Sequence, residues 1–176
     1  MKDEKVILET KRLILRHPLE SDIEPLVALW CDPEVTRHLG GPRDQTAIRE
    51  SLEQAVQSPF PEEYDLWAAV DRKSGKVVGH CGLLDKEIEG KTEIELVYVI
   101  AHAFWGKGYA TEIAQALESY AFDELGLERL VALIEPENKV SEKVAAKVGM
   151  TYKNSVTRPS GQIRKLYVVT SPDPAG

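Results

Sequence analysis

Hydrophobic positions recur along the chain with two periods, and the changes between them mark out its elements. "RLILRHP" (12–18) alternates as a strand does until Pro18 stops it, and "ESDIEPLVALW" (20–30) then opens a helix with Ser21 and Glu24 at capping-box spacing. A second helix is predicted from Asp44 to about residue 57, closed by Pro59, since a proline disfavours helical geometry in the residue before it. "YDLWAAV" (64–70) and "KVVGHCGLL" (76–84) read as strands joined at "DRKSGK", where Gly75 supplies turn chemistry. "KTEIELVYVI" (91–100) is a further strand, with "EIEG" and Lys91 providing the connection to it.

From Tyr109 to roughly Leu125 the period becomes helical, with Ile113, Ala116, Leu117, Tyr120 and Ala121 on one face. "LERLVALIE" (127–135) is a buried strand ended by Pro136. Asn138 and Ser141 precede a short helix, "SEKVAAKV", with Gly149 at its C-cap, and "MTYKNSVTR" and "IRKLYVVT" form two last strands around the turn "PSG". This order is neither strict strand–helix alternation nor all-β, and it predicts an α+β or mixed α/β fold around one sheet. No repeat, low-complexity tract or long linker interrupts it. Residues 1–176 are therefore expected to form a single domain, with its core at about 8–170 and a short flexible tail, "SPDPAG" (171–176).

Composition narrows the function class. With 29 acidic against 22 basic residues and a formal charge of -7, the chain lacks the footprint of a general nucleic-acid binder. A cationic or amine-bearing partner fits that charge better, although acidic surfaces also serve solubility alone. Cys31 and Cys81 are isolated and read as buried thiols, and no His or Cys spacing indicates a metal site. The N-terminus carries no signal-peptide core and no apolar run reaches membrane-spanning length, so no membrane partner and a cytoplasmic location are expected.

Candidate chemistry concentrates just before the long central helix. In "WGKGYATE" (105–112), Gly106 and Gly108 stand where a strand must turn into a helix, and glycines let the backbone approach a bound group with several N–H donors unpaired. The helix dipole and Lys107 add positive potential, so the turn reads either as an anion cradle or as a plain tight turn. It is neither a Walker loop nor a dinucleotide fingerprint. In the preceding strand, Glu93, Glu95, Val97 and Val99 share one side, opposite Ile94, Leu96, Tyr98 and Ile100. Two carboxylates on a partly buried strand are costly unless paired or useful, and an exposed sheet end accounts for them equally well.

"FWGKGYATE" resembles the acyl-CoA pyrophosphate loop of the GNAT N-acetyltransferases, Q/R-x-x-G-x-G/A, which falls here on Trp105, Gly106, Lys107, Gly108, Tyr109 and Ala110. The opening "LETKRLILRHPLESDIEPLVALWCDPEVTRHL" is similar to the ribosomal-protein N-terminal acetyltransferase branch. That branch's E-x-x-Y and Asn-x-x-Ser are matched by Glu95 with Tyr98 and by Asn138 with Ser141. The resemblance, from about residue 8 to about 170, implies a mostly antiparallel twisted sheet, flanked by about four helices, that opens in a V for acetyl-CoA. The main chain at Tyr98, Val99 and Ile100 would pair with the pantetheine amides, donors from Gly106 through Thr111 would hold the diphosphate, and Asn138 would bond the pantetheine arm. The chain departs from the family at Trp105, at "AHA" (101–103) and at Ala145, where many members carry a tyrosine that protonates the thiolate. Ser141 or water is left as the acid.

Under this resemblance Glu95 is the base for a primary amine, with Glu93 as its substitute, and the strand amides polarise the thioester. The acceptor is a protein N-terminus, an amino acid, a polyamine or an aminoglycoside. An α-amine of pKa about 8 is roughly a tenth neutral at pH 7, so a modest base suffices. His17, His38, His80 and His102 have no triad partner placed by sequence, and direct attack by the amine is the simpler route. Trp30, Trp67, Tyr64 and Trp105 read as core or cleft-wall residues. A non-catalytic acyl-CoA-binding module is the other reading, and the sequence leaves the acceptor, the acyl chain and the choice of monomer or homodimer open.

Overall fold

The computed structural model describes residues 5–58 and 62–172. In chain order these form β1 (Val6–Glu9), β2 (Leu13–Arg16), α1 (Ile23–Cys31), α2 (Pro33–Thr36), α3 (Gln45–Gln57), β3 (Leu66–Asp71), β4 (Val77–Ile88) and β5 (Lys91–Ile100). There follow α4 (Tyr109–Ser119), β6 (Arg129–Ile134), α5 (Lys139–Val148), β7 (Thr151–Thr157) and β8 (Ile163–Thr170). The eight strands make one sheet in the order β1-β2-β3-β4-β5-β6-β8-β7. Every neighbouring pair is antiparallel except β5 and β6, which run parallel and meet only where Glu95 lies opposite Val131. Beyond that point the two strands part, which is the V that the resemblance implies.

Both faces of the sheet are covered. On one, Ile113 and Leu117 of α4 and Ala145 and Val148 of α5 pack on Leu96, Ile100, Leu130 and Ala132. On the other, Leu26 and Trp30 of α1 and Leu52 of α3 pack on Ala68, Val70 and Val99. A third cluster, Ile88, Val131, Val156 and Leu166, lies under the β7–β8 hairpin. Ile113 and Leu117 are fully buried; truncating such a side chain to alanine costs about 2–5 kcal/mol, so α4 is fixed firmly behind the loop that precedes it.

Several local expectations need correction. β1, Val6–Glu9, is a strand beyond those predicted, and it is held by pairing with β2 across a bulge. The Ser21–Glu24 capping box does not form: a 3-10 turn, Glu20–Asp22, precedes α1, and the Asp22 carboxylate instead accepts from Leu19 N at 2.7 Å and from Arg16. The "EIEG" connection shrinks to a two-residue turn, with Glu89 at φ 51 and Gly90 at φ 76, because β4 continues to Ile88. Past Ser119 the central helix widens into a π turn, Tyr120–Glu124. Helix α5 starts at Lys139, so Ser141 sits inside its first turn. Pro59 and residues 173–176 of the tail lie outside the described residues. No helix among the described residues is long and apolar enough to cross a membrane.

Candidate active site

The glycine turn is built as a donor array. Gly106 (φ 72) and Gly108 (φ 78) are both left-handed, a conformation strained for any other residue at these exposed positions. Among the described residues, the N–H groups of Gly106, Lys107, Gly108, Tyr109, Ala110 and Thr111 make no hydrogen bond; the first amide of the helix to bond is Glu112 N, to Gly108 O at 3.0 Å. Arg12, in the β1–β2 connection, fixes their direction from behind. Its guanidinium donates to Lys107 O at 2.8 Å, pairs with Glu112 at 2.6 Å and lies 4.4 Å over the Tyr109 ring. Because a trans peptide points its C=O and N–H oppositely, holding the Lys107 carbonyl back aims the Gly108 amide outward. Burial raises the Glu112 carboxyl, but hydrogen bonds from Thr10 and Arg12 outweigh it and leave it below the usual carboxylate range. Consecutive unpaired amides at a helix N-terminus are a fitting receptor for a diphosphate.

The split supplies a second array. Ala101 N bonds to Val78 O, so by ladder alternation Val99 pairs with His80 on β4 while the main chain of Tyr98 and Ile100 faces β6. With β6 splayed away, Tyr98 and Ile100 have no strand on that side. The Ile100 carbonyl takes the Trp105 indole N–H at 2.7 Å. Val99 departs from the expectation for a simple geometric reason: its backbone is turned to β4 and its side chain packs among α1–α3. On β6 the matching freed donor is Leu133 N–H, which favours the Glu95 carboxylate without forming a well-made hydrogen bond to it.

Glu95 sits on the α1–α3 face at the fork, between the cluster under α1 and the one under the β7–β8 hairpin. Its side chain is 14% exposed, with Lys86 Nζ at 3.9 Å. Burial raises its pKa, opposed by Lys86, the Leu133 amide, Arg158 and Arg164. Glu93 differs: it accepts from Arg129 Nε at 2.9 Å and is engaged in a structural ion pair. Past the end of β6 a surface hollow of about 490 Å³ lies between Arg37 and Gly40 on one side, Glu135 and Glu137, and Gln162 and Arg164 at the β7–β8 turn; Glu95 does not line it.

The acetyltransferase (GNAT) domain family matches residues 12–151. The chain belongs to the GNAT acetyltransferase family. Among its relatives, YkkB of Bacillus subtilis (strain 168), whose function is uncharacterised, is 35% identical over 155 residues, covering 88% of this chain and 90% of that one. The uncharacterised N-acetyltransferase p20 of Bacillus licheniformis is 33% identical over 141 residues, 78% of each chain. In fold, spermidine N-acetyltransferase from Vibrio cholerae, solved with CoA and spermine, superimposes with a TM-score of 0.74 at 15% identity, covering 92% of this chain and 96% of that one. This chain is thus an N-acetyltransferase.

The remaining expected residues of this GNAT site are distributed on both sides of the split. Asn138 caps α5, accepting from Ser141 N at 3.2 Å, and its Nδ2 makes no hydrogen bond among the described residues. Tyr98 reaches from β5 to α5, its phenol 3.0 Å from Ser141 Oγ and 3.1 Å from Ser141 O. Burial, first, pushes the Tyr98 phenol up to about 12, so it stays protonated. Ala145 is fully buried in the main core and offers no acid. Lys107 Nζ lies over the Phe104 ring at 5.3 Å, and Trp105 is 45% exposed. His80 accepts from Trp30 Nε1 through Nδ1 at 3.0 Å, which puts its proton on Nε2, beside the Leu66 backbone without a well-formed hydrogen bond. Burial lowers its pKa to about 4, so it carries no proton near neutrality. Cys81 is buried, but Cys31 is only partly so, a correction to the expectation for both. Sequence reading missed Arg12, Glu112, Lys86 and the Leu133 amide, because each acts across strands and lies far in sequence from its partner or bears no motif.

Proposed function

We propose that this protein transfers the acetyl group of acetyl-CoA to a primary amine by direct attack, with Glu95 as the base. The observation that carries this is the alignment of two features along one split: six unpaired amides at its entrance and a buried carboxylate at its fork. The amides of Gly106 to Thr111 hold the diphosphate, the main chain of Tyr98 and Ile100 pairs with the pantetheine, and Asn138 Nδ2 bonds its arm. The neutral amine nitrogen attacks the thioester carbonyl carbon, whose oxygen takes up the negative charge against the freed strand amides. Glu95, directly or through a water, accepts the proton that the ammonium loses. As the C–S bond breaks, the nitrogen sheds the second proton it carries, and Ser141 Oγ, held by Tyr98, or a water relays a proton to the sulfur and is reprotonated by the one the nitrogen has lost.

Two measurements test this. Calorimetry on folded protein is expected to detect CoA binding, and thiol release from acetyl-CoA to depend on an added amine. Glu95→Gln is expected to lower kcat by about 10²–10⁴-fold while acetyl-CoA affinity stays the same. No heat with CoA would overturn the cradle; undiminished turnover in the variant would remove Glu95 from the chemistry.

A further inference from the structure

The glycine loop and the open edge of β5 are two separate arrays, and one side chain joins them. Trp105 ends the 3-10 turn His102–Phe104 and begins the loop. Its main-chain N–H donates to His102 O at 3.1 Å, while its indole folds back over the turn and donates through Nε1 to Ile100 O at 2.7 Å. Among the described residues no other side-chain hydrogen bond joins the loop to β5. Arg12 ties the loop instead to the β1–β2 connection and to α4. The His102 ring lies 4.5 Å from the Trp105 ring at a tilt of 51° and steadies it. Trp105 is nevertheless 45% exposed and joins none of the three hydrophobic clusters, so core packing does not account for a tryptophan here.

The carbonyl that the indole takes lies on the side of β5 that faces the split. A pantetheine laid along this edge meets Tyr98 C=O and Ile100 N–H, as an added strand would. The next group in the row, Ile100 C=O, is already engaged by Trp105. Strand-like pairing with the ligand therefore stops at Ile100, and beyond it the ligand passes to the amides of Gly106 to Thr111. A molecule whose two parts bind two arrays at once gains most when the separation of the arrays matches its own. An error in that separation is carried along the ligand to the reacting carbon, where a small misplacement is costly.

Resting on the reading of this split as an acetyl-CoA site, we propose that Trp105 is a positioning residue that sets the register between the diphosphate cradle and the pantetheine strand. Its indole N–H holds the loop at a fixed distance from the end of β5. The bond does not create either array; it makes the two fit one ligand.

Calorimetry with CoA on the native protein, Trp105→Phe and Trp105→Gln tests this, with circular dichroism confirming that each variant is folded. Phenylalanine keeps a ring against His102 and loses the donor, whereas glutamine places an amide N–H as many bonds beyond Cβ as the indole does. ADP, which carries a diphosphate without the pantetheine arm, is measured by its displacement of CoA. Trp105→Phe is expected to weaken CoA about tenfold, as the loss of one hydrogen bond would. Its affinity for ADP is expected to stay within about twofold of native, because ADP uses one array only. Trp105→Gln is expected to recover CoA affinity to within about threefold of native. Native affinity for CoA in Trp105→Phe overturns the proposal. Equal losses for CoA and ADP overturn it too, since the indole would then shape the cradle alone, and so does a glutamine variant no better than the phenylalanine one. Failure of the native protein to bind CoA overturns instead the acetyl-CoA reading on which the proposal rests.

Discussion

At the scale of single residues, Glu95 is defined by what surrounds it. Burial raises its pKa while Lys86, the Leu133 amide and two arginines hold it down. Removing one of these cations disfavours the carboxylate, so Lys86→Gln is expected to move the acid limb of kcat/KM to higher pH. The acceptor's own ionisation is common to both proteins, and an unmoved limb would mean that Glu95 does not titrate in the profile. His80 obeys a different sign. Its folded pKa, about 4, lies below its ordinary value of 6.5, so the unfolded chain binds the extra proton and stability falls as pH drops from 6.5 towards 4. The loss from this residue is roughly 3 kcal/mol. Urea midpoints at pH 7 and pH 4.5 should therefore differ less in a folded His80→Gln variant than in the native protein. Strand alternation brought out Glu93 and Glu95 together, and only the E-x-x-Y resemblance preferred Glu95. That Glu93 is engaged was not legible, since its partner Arg129 lies on another strand.

At the scale of elements, the loop before α4 depends on the β1–β2 connection. The Arg12–Glu112 pair is partly exposed, its side chains 39% and 20% accessible, and such pairs add little stability by themselves. Its consequence is directional, through the Lys107 carbonyl. Arg12→Gln is thus expected to raise the KM for acetyl-CoA about tenfold with kcat nearly unchanged, a loss of about 1.4 kcal/mol in ground-state binding. A fall in kcat at constant KM would instead place Arg12 in the chemistry. The glycine pattern disclosed this turn before any coordinates, because only a positive φ requires glycine there. Arg12 stayed hidden, a hundred residues from its partner. The capping box failed for a related reason: Glu24 is claimed by Arg49 of α3, a tertiary contact that local spacing does not contain.

At the scale of the whole molecule, the sheet is nearly two sheets, joined along β5 and β6 at one register pair. A ligand lying in the split bridges the two halves. CoA at a hundredfold excess over its Kd is expected to stabilise the protein by about 2.7 kcal/mol, roughly 5–10 °C in Tm. Hydrogen exchange should slow at Gly106–Thr111, Tyr98 and Ile100, and protection confined to other amides would count against this binding mode. The sequence by itself determined most of the elements, the α+β class, the glycine turn and the carboxylate strand, because period, turn chemistry and positive φ are local constraints. Tertiary structure alone decided where β5 and β6 part, which amides that parting frees, and that Glu93 rather than Glu95 is taken up by Arg129, because these depend on neighbours brought together only by the sheet.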